Sequence, residues 1–407
     1  MAPKRKYQKK ASATATASAK ISKGKEIIIK NKKPEEEKEG TADRRDWLRL
    51  PDALLITIIN LLISIPDFIS ISSVCTDLKH LAFSSFLKNS ITSFPPLLLS
   101  PILRPPPNKG REQRSLWTYP ARCILQEISG GTKFYRSKLR RKTVWKTCIG
   151  YSFGHLIFIQ DGRITLSNVF TGSEIVAPQL PEKYMYELFS ISILSAPVTS
   201  SSSVLVLVTL AHTLVWGLRK SYWVAEGYLR YYREIMCLGL FRGQIFCLAK
   251  NFNLKIVSFE SHTTWTTLEV KMPSRPDILT GKFGRYLVEC GGSLILVLFA
   301  IRDWPVIGID LYRLDFPNRL WVKIDTLGDA CLFVDAVGNV PIVCQNPSRW
   351  GGKSNRAYII GPGCENWTEF QFGKDIIAST EQSALKLAHA ELPRWPSPVW
   401  VYPSMLC

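Results

Sequence analysis

Acidic side chains are in short supply in this 407-residue sequence. Only 33 Asp or Glu stand against 52 Lys or Arg, which leaves a net charge of +19. In the C-terminal part the carboxylates are too sparse to nominate an acid/base pair, and the two that come closest, Asp329 and Asp335, read better as turn residues. Histidine is scarcer still. His80, His155, His212, His262 and His389 are scattered and read as structural or exposed. The 10 cysteines include no C-x-x-C pair and no Cys/His set at zinc spacing, so no metal ligand is nominated. Neither G-x-S-x-G nor H-E-x-x-H occurs. Gly351-Gly352-Lys353-Ser354 looks like the end of a phosphate loop, but Pro347 stands where the first glycine belongs and no strand-to-helix context surrounds it. It reads as a flexible loop. These shortages disfavour the common hydrolase, metalloenzyme and nucleotide-binding classes, and neither a catalytic residue nor a cofactor is expected.

Long apolar runs are missing too. The longest helical one, Ala53–Ile65, is interrupted by Thr57 and Asn60, whereas a spanning helix needs about 20 apolar residues, so no membrane partner is expected. The polar, basic opening has no apolar stretch of the secretory kind. Reduced, mostly buried thiols are therefore expected, as in a cytosolic or nuclear protein. What is present in quantity is core material. Apolar residues make up 46% and aromatics 11%, which excludes a mostly disordered chain.

Four regions differ in character. Residues 1–44 are rich in Lys, Ala, Ser, Thr and Glu with no apolar period, and are read as a disordered basic tail. Lys4, Arg5, Lys6, Lys9 and Lys10 in that tail form a candidate nuclear-import address, or else a solvated basic run. Over 45–90 the period is helical. Pro51 suits the first position of a helix, and Leu54, Leu55, Ile58, Leu61, Leu62 and Ile65 recur at three- and four-residue steps. After Pro66-Asp67, a second stripe follows at Phe68, Ile71, Val74, Cys75, Leu78 and Leu81. Residues 91–114 carry Pro95-Pro96, Pro101 and Pro105-Pro106-Pro107 and are read as an extended linker.

From about 115 to 407 short β segments alternate with turns such as Asp161-Gly162, Thr171-Gly172, Arg242-Gly243 and Gly291-Gly292. The glycines at 243, 292 and 338 lie roughly 45 residues apart, a spacing that points to propeller blades. Leu188–Leu218 supplies a further unit, and Val399-Trp400-Val401-Tyr402 is a strand placed to close the ring. The fold expected is mostly β: a propeller of five or six blades after a small all-α domain, with an open sandwich as the alternative.

The helical segment resembles the F-box, through Leu50-Pro51-x-x-Leu54-Leu55-x-x-Ile58-x-x-x-Leu62, then Asp67, then Val74-Cys75. The resemblance implies a non-catalytic subunit of a ubiquitin ligase of the Skp–cullin–F-box type. Leu50, Pro51, Leu54, Leu55, Ile58, Leu62, Val74, Cys75 and Leu78 would bind the Skp-type adaptor, and through it the cullin–RING machinery. Leu78 stands where the family usually has Trp. The remainder resembles the KIB-type propeller that follows the F-box in many plant proteins. Its carriers are Ser152–Ile157, Leu166–Gly172, Leu311-Tyr312-Arg313-Leu314-Asp315 with Trp321, Leu327–Phe333 and Ser397–Ser404. His155 and Val169 depart from the usual Trp and Pro. By this resemblance the propeller would receive a substrate protein, in the nucleus or the cytoplasm. Trp265, Trp321 and Trp367 are expected in the core. Two rivals stand beside this reading. One is a nuclear protein engaging nucleic acid or an acidic protein, hinted at by Lys138–Lys142 with Trp145, although nucleic acid is not the expected partner. The other is a propeller enzyme.

Overall fold

The computed structural model describes residues 50–62, 65–78, 80–82, 94–104, 119–128, 133–139, 146–185, 187, 189–209, 212–226, 235–259, 264–272, 282–301, 306–335, 341–361, 367–373 and 398–402. The basic tail, with Lys4, Arg5, Lys6, Lys9 and Lys10, lies outside them, as does most of the Lys138–Trp145 stretch.

The helical period becomes α1 (Asp52–Leu61) and α2 (Ile65–Ser72), and residues 76–78 and 80–82 are helical as well. Pro51 sits one place earlier than expected, as the N-cap with φ −54°. Its carbonyl accepts the amides of Leu54 and Leu55 at 2.9 and 3.2 Å, which starts the helix. Asp52 and Asp67 lie in the two first turns, where negative charge meets the positive end of the helix dipole.

Six four-stranded sheets follow, the blades of a propeller. Blade one contains β1 (Leu97–Arg104), β2 (Tyr119–Gln126) and β3 (Phe134–Arg136). Blade two is β4 (Thr147–Ser152), β5 (His155–Gln160), β6 (Arg163–Asn168) and β7 (Glu174–Val176). Blade three is β8 (Phe189–Leu194), β9 (Val204–Thr209), β10 (Thr213–Gly217) and β11 (Val224–Glu226). Blade four is β12 (Ile235–Phe241), β13 (Gln244–Ala249), β14 (Leu254–Ser258) and β15 (Thr264–Leu268). Blade five is β16 (Lys282–Cys290), β17 (Ser293–Ile301), β18 (Val306–Asp315) and β19 (Leu320–Ile324). Blade six is β20 (Ala330–Asp335), β21 (Ile342–Gln345), β22 (Arg356–Ile360) and β23 (Thr368–Gln371).

The last strand, β24 (Val399–Val401), pairs with Leu97–Leu99 of β1 and completes blade one, so the two ends of the described propeller close the ring in one sheet. This corrects the linker reading of 91–114. Its proline count concealed a strand with an apolar start, Leu97-Leu98-Leu99. Pro101 lies opposite Cys123 of β2, beyond the residues paired with β24, where a missing N–H is tolerated. Blade six departs from a simple meander. Its order is β21-β20-β22-β23, with β20 and β22 parallel. Parallel neighbours need a crossover. Here the segment between Gln345 and Arg356, with the 3-10 turn Pro347–Trp350, provides it.

The blades pack by the two-residue period of strands. On β17, Leu294, Leu296 and Leu298 face one core while Ile295, Val297 and Phe299 face the next. On β9, Leu205 and Leu207 divide in the same way from Val206 and Val208. Middle strands therefore read as continuous apolar runs because both faces are covered. The Asp161-Gly162 turn has φ +49° and +68°, the paired positive values of a two-residue hairpin. Trp321 is fully buried, and its indole N–H donates to the Phe252 carbonyl at 3.1 Å. Trp265 and Trp367 are half-buried against their cores.

Candidate docking site

Helix α1 carries two apolar stripes, each at i, i+4, i+7. The stripe of Leu55, Ile59 and Leu62 turns toward the protein. Ile59 is 3% exposed and Leu62 packs beside it, in one core with Ile65 and Phe68 of α2, Phe94, Leu97 and Leu99 of blade one, and Val399 and Val401 of the closing strand. The rings of Phe68 and Phe94 lie 5.9 Å apart. Arg349, from the blade-six crossover, donates to the Leu62 carbonyl at 3.3 Å, placing a cation at the C-terminal end of α1. The Phe94 carbonyl accepts the Tyr402 hydroxyl and the Cys344 thiol. The helical segment thus sits on the seam where β24 closes the ring.

The stripe of Leu54, Ile58 and Leu61 faces outward, at 52%, 37% and 73% exposure, and Val74 beyond α2 is 70% exposed. Four large apolar side chains left in water along so short a segment are a candidate docking surface.

The nominated adaptor-binding residues divide accordingly. Pro51, Leu54, Ile58 and Val74 are exposed. Leu50, Leu55, Leu62, Cys75 and Leu78 are half-buried. Leu62 belongs to the internal core, and the Cys75 sulfur accepts the Leu78 amide at 3.4 Å, an N-terminal cap for the short helical run that follows. Leu61 was not nominated, though its seven-residue step from Leu54 was the available signal. Below the helices, burial pushes the Cys123 and Cys148 thiols up to about 12, which keeps them neutral and unreactive.

Elsewhere, the residues that suggested chemistry are engaged internally. Lys353 pairs with Glu369 at 3.0 Å, its amide donates to the Tyr358 hydroxyl, and Ser354 donates to Asp329. The Gly351–Ser354 segment is therefore a tied crossover rather than the free loop expected. Asp335 is not in a turn: it ends β20, buried, and its carboxylate accepts the Trp400 amide at 3.4 Å.

A family model described as the KIB1-4 beta-propeller matches residues 125–381. No curated protein matches the sequence. Similar solved structures include the N-terminal domain of Nup159, at 8% identity and TM-score 0.30, covering 52% of this chain and 57% of that one. PorZ of Porphyromonas gingivalis matches at 14% identity and TM-score 0.33, covering 62% and 31%. YCF48 bound to D1 peptide matches at 11% identity and TM-score 0.31, covering 51% and 66%. The chain thus spans less than two thirds of the length of each.

Proposed function

This chain belongs to the KIB1-4 β-propeller family, and from that premise we propose that it is the substrate-receiving subunit of a Skp–cullin–F-box ubiquitin ligase. The helical segment acts as an F-box that docks the Skp-type adaptor, the propeller holds a protein to be ubiquitinated, and the chemistry takes place on other subunits. The observation that carries this reading is the outward stripe of Leu54, Ile58 and Leu61 beside Val74. Three of these four residues belong to the F-box pattern in the sequence. Burying each such side chain against a partner contributes about 1.5–3 kcal/mol. The inward stripe supports the reading in a second way. It ties the docking face to the propeller, so a bound substrate would be presented at a set position relative to the adaptor. The tail residues Lys4–Lys10 are proposed as the import signal for a nuclear site of action.

The test is co-purification of the full chain with a Skp-type adaptor, beside a Leu54→Asp, Ile58→Asp variant. Both positions are exposed, so the variant should fold and melt like the parent. Two carboxylates pressed into an apolar interface cost several kcal/mol, so adaptor binding should fall by about a hundredfold or more. A well-folded parent chain that fails to retain the adaptor would overturn the reading.

A further inference from the structure

The inner strands of blades two and three run in the same direction, and so do those of blades four and five. Ser192 of β8 donates to the Ile149 carbonyl of β4 and the Leu194 amide to Ser152, so the two strands advance together. Gly239 of β12 faces Leu287 of β16, where a Cβ would run into that residue, and the Arg242 amide bonds to Glu289 further along both. In blades two to five the turns joining first to second strands, and third to fourth, therefore share one face.

That face has an unusual charge pattern. Its described turns are 153–154, 169–173, 195–203, 218–223, 242–243, 291–292 and 316–319, with Phe259 alone from the turn between β14 and β15. They hold Arg219, Lys220, Arg242 and Arg319, all exposed, and no Asp or Glu. Arg319 lies at the outer rim, its carbonyl bonded to the Lys271 amide. The acids on the flanking strand ends are locally engaged. Glu174 accepts the Ser167 hydroxyl, Glu289 the Arg242 amide, and Asp315 both the backbone and the side-chain amide of Asn318. On the opposite face Asp161, Glu182, Glu187 and Glu269 share the described connections of blades two to five with Lys183, Lys250 and Lys271. The basic face also carries aromatic rings. Tyr222 is 56% exposed, with the Lys220 ammonium 5.8 Å from its ring. The Arg242 guanidinium lies 5.0 Å from the ring of Phe241, which stacks on the exposed Phe316 at 5.4 Å. Arginine beside exposed Tyr and Phe is the composition of an interface centre, and the four turn cations outnumber the three strand-end carboxylates, a positive excess that favours an acidic partner.

We propose that the hairpin face of blades three to five holds the substrate protein through an acidic segment bearing aromatic side chains. Arg219, Lys220 and Arg242 meet its carboxylates, and Tyr222 and Phe316 pack on its rings. The proposal rests on the substrate-receptor reading and gives that receptor a surface and a substrate class.

The probe is a short fluorescein-labelled peptide of alternating Glu and Tyr, titrated by fluorescence polarisation against the full chain with and without the adaptor. The parent chain should bind it. Arg219→Glu with Lys220→Glu should weaken binding by about tenfold or more, while Lys183→Glu with Lys250→Glu, the same change of net charge on the other face, should stay within about twofold. Absence of binding to the parent chain, or equal weakening by both pairs, would overturn the proposal. So would tighter binding of a single-stranded oligonucleotide that depends on Arg219 and Lys220, since the face would then serve nucleic acid. Leu54→Asp should leave peptide binding intact. A parent chain that binds peptide through Arg219 but never the adaptor would sink the ligase reading and leave this face standing.

Discussion

Strand β17 and helix α1 solve the same problem with different results. Both present apolar side chains in two directions. On β17, Leu294, Leu296 and Leu298 are covered by blade four and Ile295, Val297 and Phe299 by blade six, so no direction is left in water. On α1, the direction of Ile59 meets the ring seam, whereas Leu61, two residues on, is left exposed among the described residues. A strand inside a closed ring has a neighbour on each side by construction, whereas a helix laid on the outside of that ring has one. Apolar residues beyond what the seam can cover contribute little to folding, and it is this excess on which the proposed adaptor docking rests.

The sharpest way to break this comparison is to truncate one residue from each stripe. Ile59→Ala should cost about 2–5 kcal/mol through lost burial and a cavity under the helices. Hydrogen exchange should then report loosening of α1 and α2. Leu61→Ala should change stability by no more than about 0.5 kcal/mol and weaken only adaptor binding. Equal losses of stability at the two positions would mean that the stripes are not distinct. A smaller effect is expected inside the ring. Gly239→Ala would push a methyl group into the side chain and backbone of Leu287, at a cost of about 1–3 kcal/mol, read as a lower Tm with adaptor binding unchanged.

The smallest effect concerns His155, which opens β5 just after the turn from β4 and is buried, its Nδ1 2.8 Å from the Phe153 carbonyl. Burial holds its pKa below the ordinary 6.5, and the bond to Phe153 offsets this only in part. The folded form therefore binds the proton less readily than the unfolded one. The contribution of neutral His155 is complete above about pH 6.5 and is lost as pH falls through the lowered folded value. Melting curves should shift down on acidification across that window, and His155→Phe should flatten the shift. An unchanged slope would show that other groups set the acid response.

Much of this architecture could be read from residue order. Turns such as Asp161-Gly162 and Arg242-Gly243 located hairpins, their spacing implied blades, and the three- and four-residue steps from Leu54 to Ile65 implied a helix. Two features were hidden. The prolines around Leu97–Arg104 outweighed its short apolar start, and the partner that makes it a strand, Val399–Val401, lies some three hundred residues away. The parallel pairing of β20 with β22 was equally out of reach, because a meander and a crossover use strands of the same composition. On the hairpin face, Arg219, Lys220, Arg242 and Arg319 are spread over a hundred residues of sequence, and that their turns share a side follows only from the strand order.

By itself the sequence determined the kinds of element, because helical and strand periods and positive-φ turns are local consequences of backbone geometry. It also determined that basic residues would outnumber carboxylates across the chain. The tertiary structure alone decided which apolar residues of α1 are core and which are surface, how the ring closes, and which turns share a face. Burial and shared surface depend on neighbours distant in the chain, and a period in one segment carries no record of them.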